Sequence, residues 1–77
     1  MIAVYKTTDI VLAATLKYNS THLADVEMEG TRGTFVFKNV DDQLLTDFDL
    51  GNILVEPCGF HNIIKQLSSI VRRKANN

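Results

Sequence analysis

The last third of the chain constrains the fold most. Phe60, Ile63, Ile64, Leu67, Ile70 and Val71 recur at i, i+3, i+4, i+7, i+10 and i+11, the spacing of one helix face. A stripe of that kind must be covered, so the preceding residues have to supply an apolar surface. Pro57 suits the first position of such a helix, and Glu56 before it is pushed into an extended conformation. The spacing predicts a helix from Pro57 to Arg73, followed by a polar tail from Lys74 to Asn77.

The covering surface is legible upstream. Met1 to Lys6 predicts a strand with apolar residues on both faces, covered twice or lying at a subunit contact. Thr7, Thr8 and Asp9 supply N-cap chemistry for a helix from Ile10 to Tyr18, apolar on almost every side and therefore buried. His22 to Met28 alternates, with Ala24, Val26 and Met28 on one face and Leu23, Asp25 and Glu27 on the other. Glu29-Gly30-Thr31-Arg32-Gly33 reads as a hairpin connector, and Thr34 to Lys38 returns with Phe35 and Phe37 directed to a core. Asn39 to Asp42 opens a second helix with Val40, Leu44, Leu45 and Phe48 as its stripe, closed by Gly51-Asn52. Ile53 to Val55 is a candidate short strand. The order is β-α-β-β-α-α, an α+β fold with helices on one face of a small sheet.

At 77 residues the chain is one domain, 1–77, because domains average roughly 150 residues. A core this small buries only about 60% of the unfolded surface, which leaves association as a route to more burial. The balance of 45% hydrophobic to 22% charged residues is that of a folded chain, and no apolar run reaches the ~18 residues of a membrane span. No secretory leader is visible, and the single Cys58 excludes a disulfide framework. The expected setting is cytoplasmic, with no membrane and no cofactor.

Tyr5-x-Thr7-x-Asp9, Leu12-Ala13-Ala14-x-Leu16, Phe35-x-Phe37 and Pro57-x-x-Phe60 follow one another along nearly the whole chain. In that order they resemble a family of short, single-domain proteins of unknown function found in bacteria and bacteriophages. The resemblance implies a compact α+β domain from a bacterial cell or a phage-infected host. It brings no catalytic residues with it.

Candidate chemistry is sparse. Cys58 and His61 stand at i and i+3 near a helix start, where a thiol is activated. No third group orients them, so Cys58 reads as a small apolar filler and His61 as a solvated residue. Asp41, Asp42, Asp47 and Asp49 could serve a divalent cation or mimic nucleic-acid charge, but a calcium loop's spacing is missing and a solvated helix face is the plainer account. Asp47 and Asp49 oppose the helix dipole, a placement that either marks a function or is explained by a cation from another element, for which the third helix is the obvious supplier. Lys65, Arg72, Arg73 and Lys74 could lie against phosphates, although dipole compensation places cations at a helix end in any case. Gly30 and Gly33 form no phosphate cradle, since no helix follows them. Phe35 and Phe37 have too few cations nearby to serve as a base-stacking platform, and His22 alone is a poor metal ligand.

No nucleophile, base and orienting group come together, so the chain does not read as an enzyme. Charge is segregated, with −5 over Asn39 to Glu56, +4 over Pro57 to Asn77, and zero before them. Such polarity favours matched partners, including a second copy. The expectation is a small accessory or regulatory protein acting by protein–protein interaction, with a homodimer among its complexes. Nucleic-acid binding through the basic last helix is the alternative.

Overall fold

The computed structural model describes residues 1–76 and has the expected α+β order. It comprises β1 Ile2–Thr7, α1 Ile10–Tyr18, β2 His22–Glu29, β3 Arg32–Val40, α2 Asp42–Asp49 and α3 Pro57–Ala75. The strands form one antiparallel sheet in the order β1-β3-β2. The molecule is only 18 Å thick along its shortest axis, the depth of one helix layer on one sheet. The helices therefore cover one face of the sheet, and the other face is open.

α1 forms where its cap predicts. The Asp9 carboxylate accepts hydrogen bonds from the amides of Val11 at 2.9 Å and Leu12 at 3.3 Å, satisfying two donors that the first turn leaves free. Leu12 to Leu16 are buried, and the hydroxyl of buried Thr15 donates to the Val11 carbonyl at 2.8 Å. α1 is not buried all round, since Val11 is 45% exposed. α3 lies along α1, and its stripe fills the space beneath the sheet. Leu67 is fully buried together with Leu16, Phe37 and Val40, while Phe60, Ile63, Ile64, Ile70 and Val71 pack against that centre. Phe35 is also in the core, which ends its case as a stacking platform.

Two strands depart from simple alternation. The pairing of β2 with β3 shifts by one residue between Leu23 and Asp25. The extra residue, Ala24, makes a bulge that changes the phase of the side chains. Leu23 thus joins Val26 and Met28 against the core, not Asp25 and Glu27 on the open face. In β3, Asn39 adopts φ 57°, a left-handed conformation that Asn tolerates. It inverts the alternation after Phe37, so that Val40 also turns inward and is fully buried. Asn39 and Val40 therefore end a strand instead of opening a helix. α2 starts at Asp42, capped by the Asp41 carboxylate on the Gln43 amide at 2.9 Å.

Glu29 pairs with Arg32, so the hairpin loop is only Gly30-Thr31, with φ 62° at Gly30. Positive φ at the first of two loop residues is the requirement of a type II′ turn. Gly33 belongs to β3 and serves closeness, since a Cβ there would lie 2.7 Å from Val71 Cγ2 of α3. α2 closes with a Schellman pair, Gly51 N–H to the Phe48 carbonyl and Asn52 N–H to the Asp47 carbonyl, with Gly51 at φ 73°. Ile53 to Val55 form no strand. The segment leaves Leu54 93% exposed. Its end is fixed by Tyr18, whose hydroxyl accepts the Glu56 amide at 3.0 Å and whose ring meets Phe60 edge-on at 6.3 Å. Lys74 and Ala75 continue α3 and are not a tail; Asn76 caps it, and Asn77 lies outside the described residues.

Candidate interaction surfaces

The four cations of α3 do not share one surface. Lys65 and Arg73 line a shallow depression with Asn62, Gln66 and Ser69, and Lys17 of α1 joins them there. Arg72 lines a separate cleft of about 500 Å³ below the hairpin, with Arg32, Phe35 and Val71. Lys74 turns toward β2, where its Nζ donates to the Val26 carbonyl at 3.0 Å and lies 3.6 Å from Asp25 Oδ1. Sequence spacing placed these residues on one helix but could not show which neighbours each would meet. Lys17 was missed because it belongs to another helix.

Three of the four acidic candidates have contacts of their own, and Asp49 is exposed. Asp41 caps the helix, Asp42 faces the Met1 ammonium at 3.4 Å, and Asp47 accepts from the Gln43 side-chain amide at 2.9 Å. The expected cation from α3 is not beside Asp47 and Asp49. Among the described residues no ion pair joins α2 to α3, and α1 packs against both. Asp47 instead shares a polar hollow with His22 and Lys38 of the sheet. Among the described residues, no three His, Cys, Asp or Glu side chains gather as a metal site.

Cys58 does not fill space. It is exposed, as is His61. Nine residues separate Cys58 from Leu67, which at about 100° per residue places the thiol opposite the buried stripe.

The two edges of the sheet are the least symmetrical part of the molecule. Along β2, both backbone groups of Val26 turn away from β3 and both are taken up. Its N–H donates to Asp25 Oδ1 at 2.8 Å, and its carbonyl accepts from Lys74. The Asp25–Lys74 ion pair closes this arrangement into a clasp between β2 and α3. Along β1 one register with β3 holds for Ile2 and for Val4 to Thr7, while Ala3, opposite the left-handed Asn39, has no Cα partner. Among the described residues no side chain hydrogen-bonds the backbone of Ile2 to Lys6 on its outer side. Ala3 is exposed and Val4 is 52% exposed. Lys6, the one ionised side chain of β1, reaches across β3 to Glu27 at 3.2 Å.

No family model, curated protein or solved structure matches this chain. Function therefore has to be argued from these surfaces. Among the described residues, no helix is long and apolar enough to cross a membrane.

Proposed function

We propose that this chain is a small accessory or regulatory protein that works by binding another protein and has no catalytic role of its own. The observation that carries this reading is the charge separation across the helical layer. Among the described residues no carboxylate of α2 is paired with a cation of α3, and each of the two helices packs against α1. Opposite charges left apart on a thin, two-layered molecule offer two faces to a partner of complementary potential. Cys58 and His61, exposed and without an orienting third group, support a binding role over catalysis. A lone exposed thiol fits a reducing compartment such as the cytoplasm of a bacterial cell.

The test is affinity capture from the source cells by the native chain, in parallel with a Lys65→Gln, Arg73→Gln variant and an Asp49→Asn variant. A partner retained by the native chain, lost with one variant and released by salt supports the reading. Identical captures by all three chains would sink it.

Nucleic acid is the second reading, favoured by one observation. Lys17, Lys65 and Arg73 meet beside the amides and hydroxyl of Asn62, Gln66 and Ser69, donors suited to phosphate oxygens. Three such contacts would give a salt slope of roughly −3 on duplex DNA. A gel shift at low salt that Lys65→Gln with Arg73→Gln abolishes would favour this reading over the first.

A further inference from the structure

We infer that the open edge of β1 pairs with β1 of a second copy, joining two three-stranded sheets into one antiparallel sheet of six strands. The inference names one partner within the interaction reading above, at a different surface. It begins from the difference between the sheet's two edges. Exposed strand edges are templates for further pairing, and proteins that avoid this cover them, bulge them or place charge on them. β2 has the first two protections, in the Asp25–Lys74 clasp and the bulge at Ala24. β1 has no register shift against β3 and no proline over its six residues. Its lysine is drawn over the open face by Glu27 and away from the edge.

Charge decides in favour of a second copy. Two identical strands brought together place like charges near one another, which opposes self-pairing unless those charges are already compensated. Here each is: the Met1 ammonium faces Asp42 and the Lys6 ammonium faces Glu27, all within one chain. The strand between them, Ile2 to Tyr5, is uncharged. Antiparallel pairing of a strand with itself about a two-fold axis also needs no second complementary surface. It would set the exposed Val4 side chains close together on the open face and extend the helical layer on the other. The chain exposes 5021 Å² in all. A standard interface of about 800 Å² per partner would exceed what one six-residue edge offers, so the pair belongs with the weak, concentration-dependent complexes.

The test is sedimentation velocity of the full chain over a range of concentrations, with amide hydrogen exchange of Ile2 to Lys6 at the lowest and highest. A monomer–dimer equilibrium is expected, with outward β1 amides exchanging about tenfold or more slowly at high concentration. Val4→Lys should leave the melting temperature within a few degrees and weaken the dimer at least about tenfold, since any self-paired register of so short a strand brings the two new charges close. A chain that stays monomeric to about 1 mM, a limit of roughly −4 kcal/mol, would overturn the inference, as would β1 exchange that ignores concentration. A dimer that survives Val4→Lys but dissolves with Lys65→Gln, Arg73→Gln would overturn strand pairing and leave the charged-surface reading standing.

Discussion

β1 and β2 flank the same central strand, yet the chain treats their outer edges in opposite ways. β2 faces α3, whose Lys74 reaches back 48 residues along the sequence to complete the backbone of Val26. β1 meets α1, but among the described residues no helix side chain bonds its backbone, and the cations of Met1 and Lys6 are both engaged elsewhere. The contrast shows that a small sheet is finished by its helices as much as by its strands. With one long helix available, one edge is closed and the other is left to solvent or to a partner.

The closure depends first on α3 staying in place. Leu67 is fully buried at the centre of its stripe, and removing such a side chain to Ala costs about 2–5 kcal/mol. A domain of this size holds only roughly 4–12 kcal/mol in all. Leu67→Ala should therefore melt roughly 10 °C or more below the native chain, read by circular dichroism. A shift of a degree or two would mean that α3 is not what closes the β2 side.

Gly33 tests how closely α3 approaches. A methyl group there meets Val71 Cγ2 at 2.7 Å, and valine has little rotamer freedom on a helix with which to yield. Gly33→Ala should cost about 1–3 kcal/mol in urea unfolding. Combining it with Val71→Ala should restore part of that loss, because the clashing γ-carbon is gone. If the double variant is less stable than the native chain by the full sum of the two single losses, the close approach is not the reason for glycine.

Much of this was legible in the residues, and the failures have physical causes. The stripe of α3, the Asp9 cap and the Gly51 terminus are local signals, and the structure follows them. The phase of Leu23 and the inward turn of Val40 each depend on one residue that breaks a period of two, and the place of Gly33 in a strand depends on the shortness of the turn before it. A bulge at Ala24 or a left-handed Asn39 has no distinctive signature in a single sequence. The candidate surfaces were less legible still. Lys65, Arg72, Arg73 and Lys74 could be placed on one helix, but Lys74 has its role only because β2 passes beneath it, a contact between residues far apart in the chain. Asp25, its partner in the clasp, carried no signal beyond that of a solvated strand residue.

Removing Lys74 isolates the clasp from the packing. Lys74→Ala leaves the Val26 carbonyl without its donor, at a cost of about 0.5–1.5 kcal/mol. The more informative readout is association. With both edges bare, light scattering at high concentration should show species beyond a dimer, since a molecule with two open edges can pair at each. An unchanged size distribution would mean that the bulge alone protects β2.

The smallest effect is expected on the other side. The Lys6–Glu27 pair spans β3 on the open face, with side chains about half exposed at 52% and 50%. A pair so well solvated gains little attraction over hydration and contributes roughly 0–0.5 kcal/mol. Lys6→Ala should therefore leave the urea midpoint nearly where it is, and added salt should not separate variant from native chain. The pair's consequence lies in where it holds the ammonium. Glu27→Gln removes the attraction that draws Lys6 over the sheet and frees the cation to lie along β1, where a charge discourages pairing. Stability should again change by less than about 0.5 kcal/mol, while association through β1 weakens. Lys6→Ala, which removes the charge altogether, should strengthen it. If the two variants move the dimer equilibrium in the same direction, Lys6 does not govern the β1 edge, and the difference between the two edges reduces to the Asp25–Lys74 clasp.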